Sequence, residues 1–248
     1  MILSLSASLI RWDFREAPLS ENGRSALWFI TDANPEVESI NVSRNDVGWD
    51  DVVGLARMLA SCPKLQVLDL STNELSKLSE SHVTSFHRLC EAFANNRTLT
   101  DLNLNNNSLG MTGVRLVCNA LQSLKTLQRL GLSYNEPSVE PALADLLRKH
   151  PALASVELVE ALDRHLPTRA KDEIGRALLD NRAGKLSYLH CDMFVLAEDT
   201  KTLVWPKVEA SCWLRIASDC FLLASDCFLL ASDCFLLASD SDCFRIAS

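Results

Sequence analysis

Three stretches, LQVLDLSTNEL (65–75), LTDLNLNNNSLG (99–110) and LQRLGLSYNE (127–136), carry one pattern, L-x-x-L-x-L-x-x-N. A fourth copy precedes them at Val37, Ile40, Val42 and Asn45. A fainter fifth follows at Leu153, Val156 and Leu158, with Ala161 where the asparagine would stand. The first apolar positions (37, 65, 99, 127, 153) are 28, 34, 28 and 26 residues apart. A recurring period of this length signals stacked supersecondary units rather than one globular core.

Within each copy the fourth and sixth positions are apolar and the residues between them vary. Alternation of this kind places the apolar pair on one side of a short strand and its neighbours on the other. A lone strand cannot bury that side, whereas parallel stacking does so. Ile40, Leu68, Leu102, Leu130 and Val156 then form one column, and Val42, Leu70, Leu104, Leu132 and Leu158 the next. Asn45, Asn73, Asn107 and Asn135 need another reason, because a buried amide without partners costs about 1–3 kcal/mol. An asparagine offers an acceptor and two donors. Four copies in register therefore favour an internal hydrogen-bonded ladder over solvated turn residues.

Each strand is followed by a helical half-unit. Nine residues before the next unit's first apolar position stand Ala56, Cys90, Cys118, Ala144 and Ala177, all small. Leu55, Leu89, Val117 and Leu143 immediately precede four of them, and Leu59, Phe93, Leu121 and Leu147 follow three residues later. This spacing makes one apolar helix face, with a small residue where helix and sheet approach closely. The same alignment puts the six extra residues of the second unit ahead of its helix, around Ser76–Ser81, where a loop is expected.

On these motifs the chain resembles leucine-rich repeat proteins of the ribonuclease-inhibitor type, from about Pro35 to Ala183. The resemblance implies an α/β leucine-rich repeat solenoid: a curved parallel β/α horseshoe of five to six repeats, with the sheet inside and helices outside. Proteins with this repeat include nucleotide-sensing receptors, Ran GTPase-activating proteins and pure inhibitors, so fold does not select function.

The expected organisation is an N-terminal capping segment at 1–34, a repeat domain at 35–205 and a tail at 206–248. Trp12, Trp28 and Phe29 supply the cap with apolar bulk. Lys185–Leu196 resembles a sixth unit, with Leu186 and Leu189 in place and Cys191 and Phe194 departing from the pattern. Beyond it, SDCFLLA stands at 218–224, 225–231 and 232–238, and SDCFRIA ends the chain. At about 100° per residue a leucine falls between the serine and the aspartate, so this heptad has no clean polar helix face. As a strand, its odd period flips each copy. An aspartate in every copy costs about 2.5–3.5 kcal/mol near a bilayer centre. The expectation is an expanded nucleotide repeat, a low-complexity tail that is not independently folded, with an oligomerising or lipid-associating tail as the alternative.

A net charge of −8 argues against a general nucleic-acid binder, and no apolar run reaches the length of a membrane span. Ser4–Ile10 lacks the preceding basic residue of a secretory signal. Of nine cysteines, Cys90 and Cys118 occupy the small column, where a thiol acts as a small hydrophobe. The five histidines, at 82, 87, 150, 165 and 190, fit neither metal nor triad spacing, and His82 and His87 are expected to be solvated. No phosphate-binding loop, dinucleotide fingerprint or nucleophile elbow occurs. The expectation is a cytoplasmic, non-catalytic protein without cofactor or metal.

Strand residues alternating with the core would face the concave side, and a protein partner is expected there. The candidate binding residues are Arg44, Asp69, Asp101, Asn103, Asn105, Arg129, Tyr134 and Glu157. Arg129 and Tyr134 are the types enriched at interaction hot spots. The leading reading is a protein-interaction module, the repeat region of a larger scaffold, sensor or regulator. Two alternatives stand beside it: a GTPase-activating protein resembling the Ran activators, with Arg44 as its candidate residue, and a truncated product without activity.

Overall fold

The structure is a computed structural model, and it describes residues 10–75, 80–135, 141–158, 177, 188–191 and 212–215. Strands and helices alternate along most of the chain. They run β1 (Arg11–Asp13), α1 (Glu21–Thr31), β2 (Ser39–Asn41), α2 (Val52–Ser61), β3 (Val67–Asp69), α3 (Glu80–Asn95), β4 (Asp101–Asn103), α4 (Gly110–Leu121), β5 (Arg129–Gly131), α5 (Pro141–Lys149), β6 (Ser155–Leu158), β7 (Tyr188–Cys191) and β8 (Cys212–Arg215). All eight strands form one sheet in sequence order. β1 to β7 run parallel, and Trp12, Ile40, Leu68, Leu102, Leu130, Val156 and Leu189 stand in one row across it. The fold is the expected α/β leucine-rich repeat solenoid.

Both strand columns are buried, none of their residues more than 2% exposed. The helices close over them with Leu55, Leu89, Val117 and Leu143, then Leu59, Phe93, Leu121 and Leu147. Cys90, Cys118, Ala144 and Ala177 of the small column are buried, and Ala56 is half-buried. The second unit's extra length is partly helical rather than all loop, since α3 starts at Glu80 and runs for 16 residues. Residues 76–79 of the insertion lie outside the described residues.

The asparagines form the expected ladder. Asn73 accepts at Oδ1 from the backbone N–H groups of Asn45 and Val47 in the preceding unit, both at 3.0 Å. Its Nδ2 donates to the carbonyls of Val42 (3.0 Å) and Leu70 (2.9 Å). Asn135 repeats this against Asn107 and Leu109 as donors, 3.1 and 3.3 Å, and against Leu104 and Leu132 as acceptors, 2.8 and 3.0 Å. To turn each side chain inward, the residue before it takes a left-handed backbone: Arg44, Thr72, Asn106 and Tyr134 have φ between 54° and 58°. β-Branched Thr72 is the most strained of these, and the ladder bonds hold it there.

Residues 10–34 contribute a unit of the same form. Trp12 pairs in register with Ile40, Glu16 has φ 55° like Arg44, and α1 follows with Ser20 capping it through the Gly23 N–H. Trp28 occupies the place that small residues hold in later units. Room comes from Gly54 on α2, where a Cβ would lie 2.3 Å from Trp28 Cδ1. Asp51 ties the units together: it accepts from Trp28 Nε1 (3.0 Å), Arg24 Nε (2.7 Å) and the Gly48 N–H (3.1 Å). At the other end, β8 pairs antiparallel with β7. β8 lies within the expected tail at 206–248, and its four residues pair with the sheet. The SDCFLLA copies, like Val159, Glu160 and Ala161, lie outside the described residues.

Two stability changes follow. Asn107, fully buried, donates to the carbonyls of Leu70 and Leu104, so Asn107→Ala is expected to cost about 2–4 kcal/mol in urea unfolding. Gly54→Ala is expected to displace Trp28 and lower amide hydrogen-exchange protection across α1. Protection across α4 should stay as in the unsubstituted protein.

Candidate interaction face

Because core and outward residues alternate, each of β1 to β6 presents its first and third residues on the side away from the helices. Parallel pairing lines these up in two rows. Arg11, Ser39, Val67, Asp101, Arg129 and Ser155 form the first, and Asp13, Asn41, Asp69, Asn103, Gly131 and Glu157 the second. Neighbouring strands stand roughly 4.8 Å apart, so scattered sequence positions become one continuous polar surface.

Most of the second row also does a local structural task. Asp13, Asn41, Asp69 and Asn103 each accept at Oδ1 from the backbone N–H two residues on, at Arg15, Ser43, Ser71 and Asn105, over 2.9–3.0 Å. These bonds close the turn that leaves each strand. A short polar residue between two core positions therefore fixes the strand exit and pins its own side chain.

Gly131 breaks the series and shapes the surface around itself. Having no side chain, it cannot cap Ser133, and Asn105 does so from the neighbouring unit, its Oδ1 accepting from the Ser133 N–H at 2.8 Å. The Asn105 Nδ2 donates on to Glu157 Oε2 at 2.7 Å, so β4 and β6 are joined across β5. A Cβ at Gly131 would stand 2.7 Å from both Asn103 Oδ1 and Asn105 Oδ1. The signal was visible: glycine stands where the other units have Asp, Asn or Glu.

The candidate residues thus fall into three groups. Asp101 and Arg129 form an ion pair, with Asp101 also accepting from Thr100 Oγ1 at 2.6 Å. The arginine side chain is 63% exposed and the aspartate 14%, so the pair adds at most about 1 kcal/mol and its guanidinium stays at the surface. Asn105 and Glu157 are bonded, with Asp69 and Asn103 in the same row. Arg44 and Tyr134 lie apart from these, both exposed, on the left-handed strand exits of the first and fourth pattern-bearing units. Arg44 pairs with Glu16 at 3.0 Å.

Elsewhere the titratable groups serve packing. Burial, aided by Asp32, pushes the Cys62 thiol up to about 11; burial with Glu91 pushes Cys90 to about 12. Neither is a thiolate near neutrality, which removes nucleophilic reactivity from both. His82, expected to be solvated, instead lies flat on Trp49, ring centroids 4.9 Å apart and 14° from parallel. Its aromatic neighbour comes from the turn ahead of α2, 33 positions earlier in the chain. Among the described residues no group of His, Cys, Asp and Glu is arranged to hold a metal, and no helix is long and apolar enough to cross a membrane.

Among curated proteins none matches this chain. A family model described as Leucine Rich repeat matches residues 95–118, the segment from the end of α3 through β4 into α4. Solved structures of similar shape include leiomodin-1 actin-binding site 2, at 13% identity and TM-score 0.46, with 72% of this chain and 83% of that one covered. The tropomodulin C-terminal domain of Caenorhabditis elegans gives 14% identity and TM-score 0.47, covering 72% and 87%. Internalin C2 of Listeria monocytogenes gives 16% identity and TM-score 0.38, covering 64% and 54%. The recurring motif, the family model that matches one copy of it and the parallel sheet with its outer helices give this chain a leucine-rich repeat fold.

Proposed function

We propose that the chain is a non-catalytic protein-interaction module that takes a protein partner on the concave face of its sheet. The supporting observation is the order of that face. Turn-capping bonds hold Asp13, Asn41, Asp69 and Asn103, and the Asn105–Glu157 bond fixes the C-terminal end. Side chains already held in place lose less freedom on binding, which favours affinity. Arg129 offers a guanidinium and Tyr134 an aromatic ring, both exposed and both on the fourth pattern-bearing unit. A helix after each of β1 to β5 supports the ribonuclease-inhibitor-like form of the repeat. The buried thiols of Cys62, Cys90 and Cys118, which form no disulfide, suit a reducing, cytoplasmic setting.

The test is capture of partners from cell extract with the wild-type chain and three variants. Arg129→Ala with Tyr134→Ala is expected to lose the captured protein, with at least tenfold weaker binding by titration. Arg115→Ala, on the exposed side of α4, should retain it. Gly131→Asn restores the row's usual residue but collides with Asn105, and is expected to weaken binding while the fold persists by circular dichroism. Capture that ignores the double substitution and fails with Arg115→Ala would move the interface to the helices.

A further inference from the structure

The turn that leads from each helix into the next strand carries a distinctive residue three positions before the first apolar one. Unit by unit these are Asn34, Cys62, Asn96, Leu124 and His150. Asn96 shows what the position does. Its Oδ1 accepts from the backbone N–H groups of Thr98 (2.9 Å) and Leu99 (2.7 Å), closing the turn into β4. His150 performs the same task with a ring nitrogen: Nδ1 accepts from the N–H groups of Ala152 (3.3 Å) and Leu153 (3.0 Å) ahead of β6. Its other nitrogen, Nε2, donates to the Leu124 carbonyl at 2.9 Å in the equivalent turn of the preceding unit. The imidazole is therefore a bridge between two units; in the turn of Asn96 the bridge is made instead by Thr98, whose Oγ1 donates to the Leu65 carbonyl.

We propose that His150 is an acid-sensitive latch: its protonation frees the turn into β6 from the unit before, loosening the end of the sheet that carries Glu157. The bonding pattern requires a neutral ring with its proton on Nε2, since Nδ1 is an acceptor twice over. A second proton, on Nδ1, would face two backbone N–H groups and break both contacts. It would also place a cation in a site only 3% exposed. Burial lowers the affinity of the ring for that proton; carbonyl bonds from Leu124 and Leu121 work against this, and the Lys125 charge on the preceding turn works with it. On α5, Asp145 is held by Arg148 (3.0 Å) and Lys149 (3.1 Å), and among the described residues no carboxylate is a bonded partner of His150.

The direction follows from linkage. Above the ordinary histidine value of 6.5 the ring is neutral in both open and closed forms, and the latch is fully present. As pH falls below it, the open form takes up a proton that the closed form resists, and stability is lost toward the lower, folded value. Units of a repeat array are coupled mainly to their neighbours, so one end opens without the rest. The consequence for binding rests on the concave-face reading; the latch itself does not.

The test is amide hydrogen exchange on the full chain, without partner, between about pH 7 and about pH 5. Protection at Leu153–Leu158 is taken relative to Asp101–Asn103. In the wild type that ratio is expected to fall by up to roughly tenfold per unit below about pH 6.5. His150→Asn supplies the acceptor that Asn96 uses and cannot titrate, so its ratio should stay level. A level ratio in the wild type, or an equal fall in the asparagine variant, overturns the latch. Should the variant not fold, the ring-carbon resonances of wild-type His150 decide: a midpoint below 6.5 supports the latch and one at or above it overturns it. With no partner in the experiment, its outcome is independent of whether the concave face binds one.

Discussion

The array hangs on one side-chain amide in each of its four asparagine-bearing units. A β/α repeat must turn its backbone sharply twice within each unit, and each turn strips N–H and C=O groups from regular pairing. Left unpaired and buried, those groups cost about 1–3 kcal/mol each. The asparagine after each of β2 to β5 supplies both kinds of partner at once. Asn73 and Asn135 each serve two backbone donors of the unit before them, together with carbonyls on both sides. Apolar columns give the stack its driving force, but they are tolerant of register. The asparagine bonds are not, because they require equivalent residues to lie opposite one another.

The same economy governs the inner face. Residues that look free to contact a partner, Asp69 and Asn103 among them, spend one oxygen closing their own strand exit. Binding capacity and local folding are thus shared by the same side chains. Gly131 is where these duties separate. Its missing side chain lets Asn105 reach across to Ser133 and Glu157, so the surface near the C-terminal end is built by neighbours rather than by the strand itself. Arg129 stands on that same strand, two residues from this notch.

The fold was legible because its causes are periodic. Apolar spacing within each copy fixed which residues face inward, and spacing between copies fixed the register, even across the 34-residue second interval. Small residues on the helices pointed to the close approach that buries Cys90 and Cys118. What stayed hidden depends on contacts between unlike parts. Nothing periodic links Trp28 to Gly54, or His82 to Trp49; each pair is complementary in shape and met only once. β8 was hidden for another reason: the sequence at 212–215 follows no repeat, and an antiparallel strand at a sheet edge needs only backbone pairing. Of the face, the rows were legible, whereas the turn-capping bonds within them were not, since a pinned aspartate and a free one read alike.

The asparagine bonds also give the chain a direction. Each amide oxygen reaches back to the unit before it. Shortening the array from its N-terminal end would therefore leave surplus acceptors, which water satisfies easily. Shortening it from the C-terminal end would remove the caps from backbone that remains, exposing donors within the last turn. The array is accordingly easier to shorten from its beginning than from its end, and whole units can be exchanged between chains wherever the cuts fall just after equivalent asparagines.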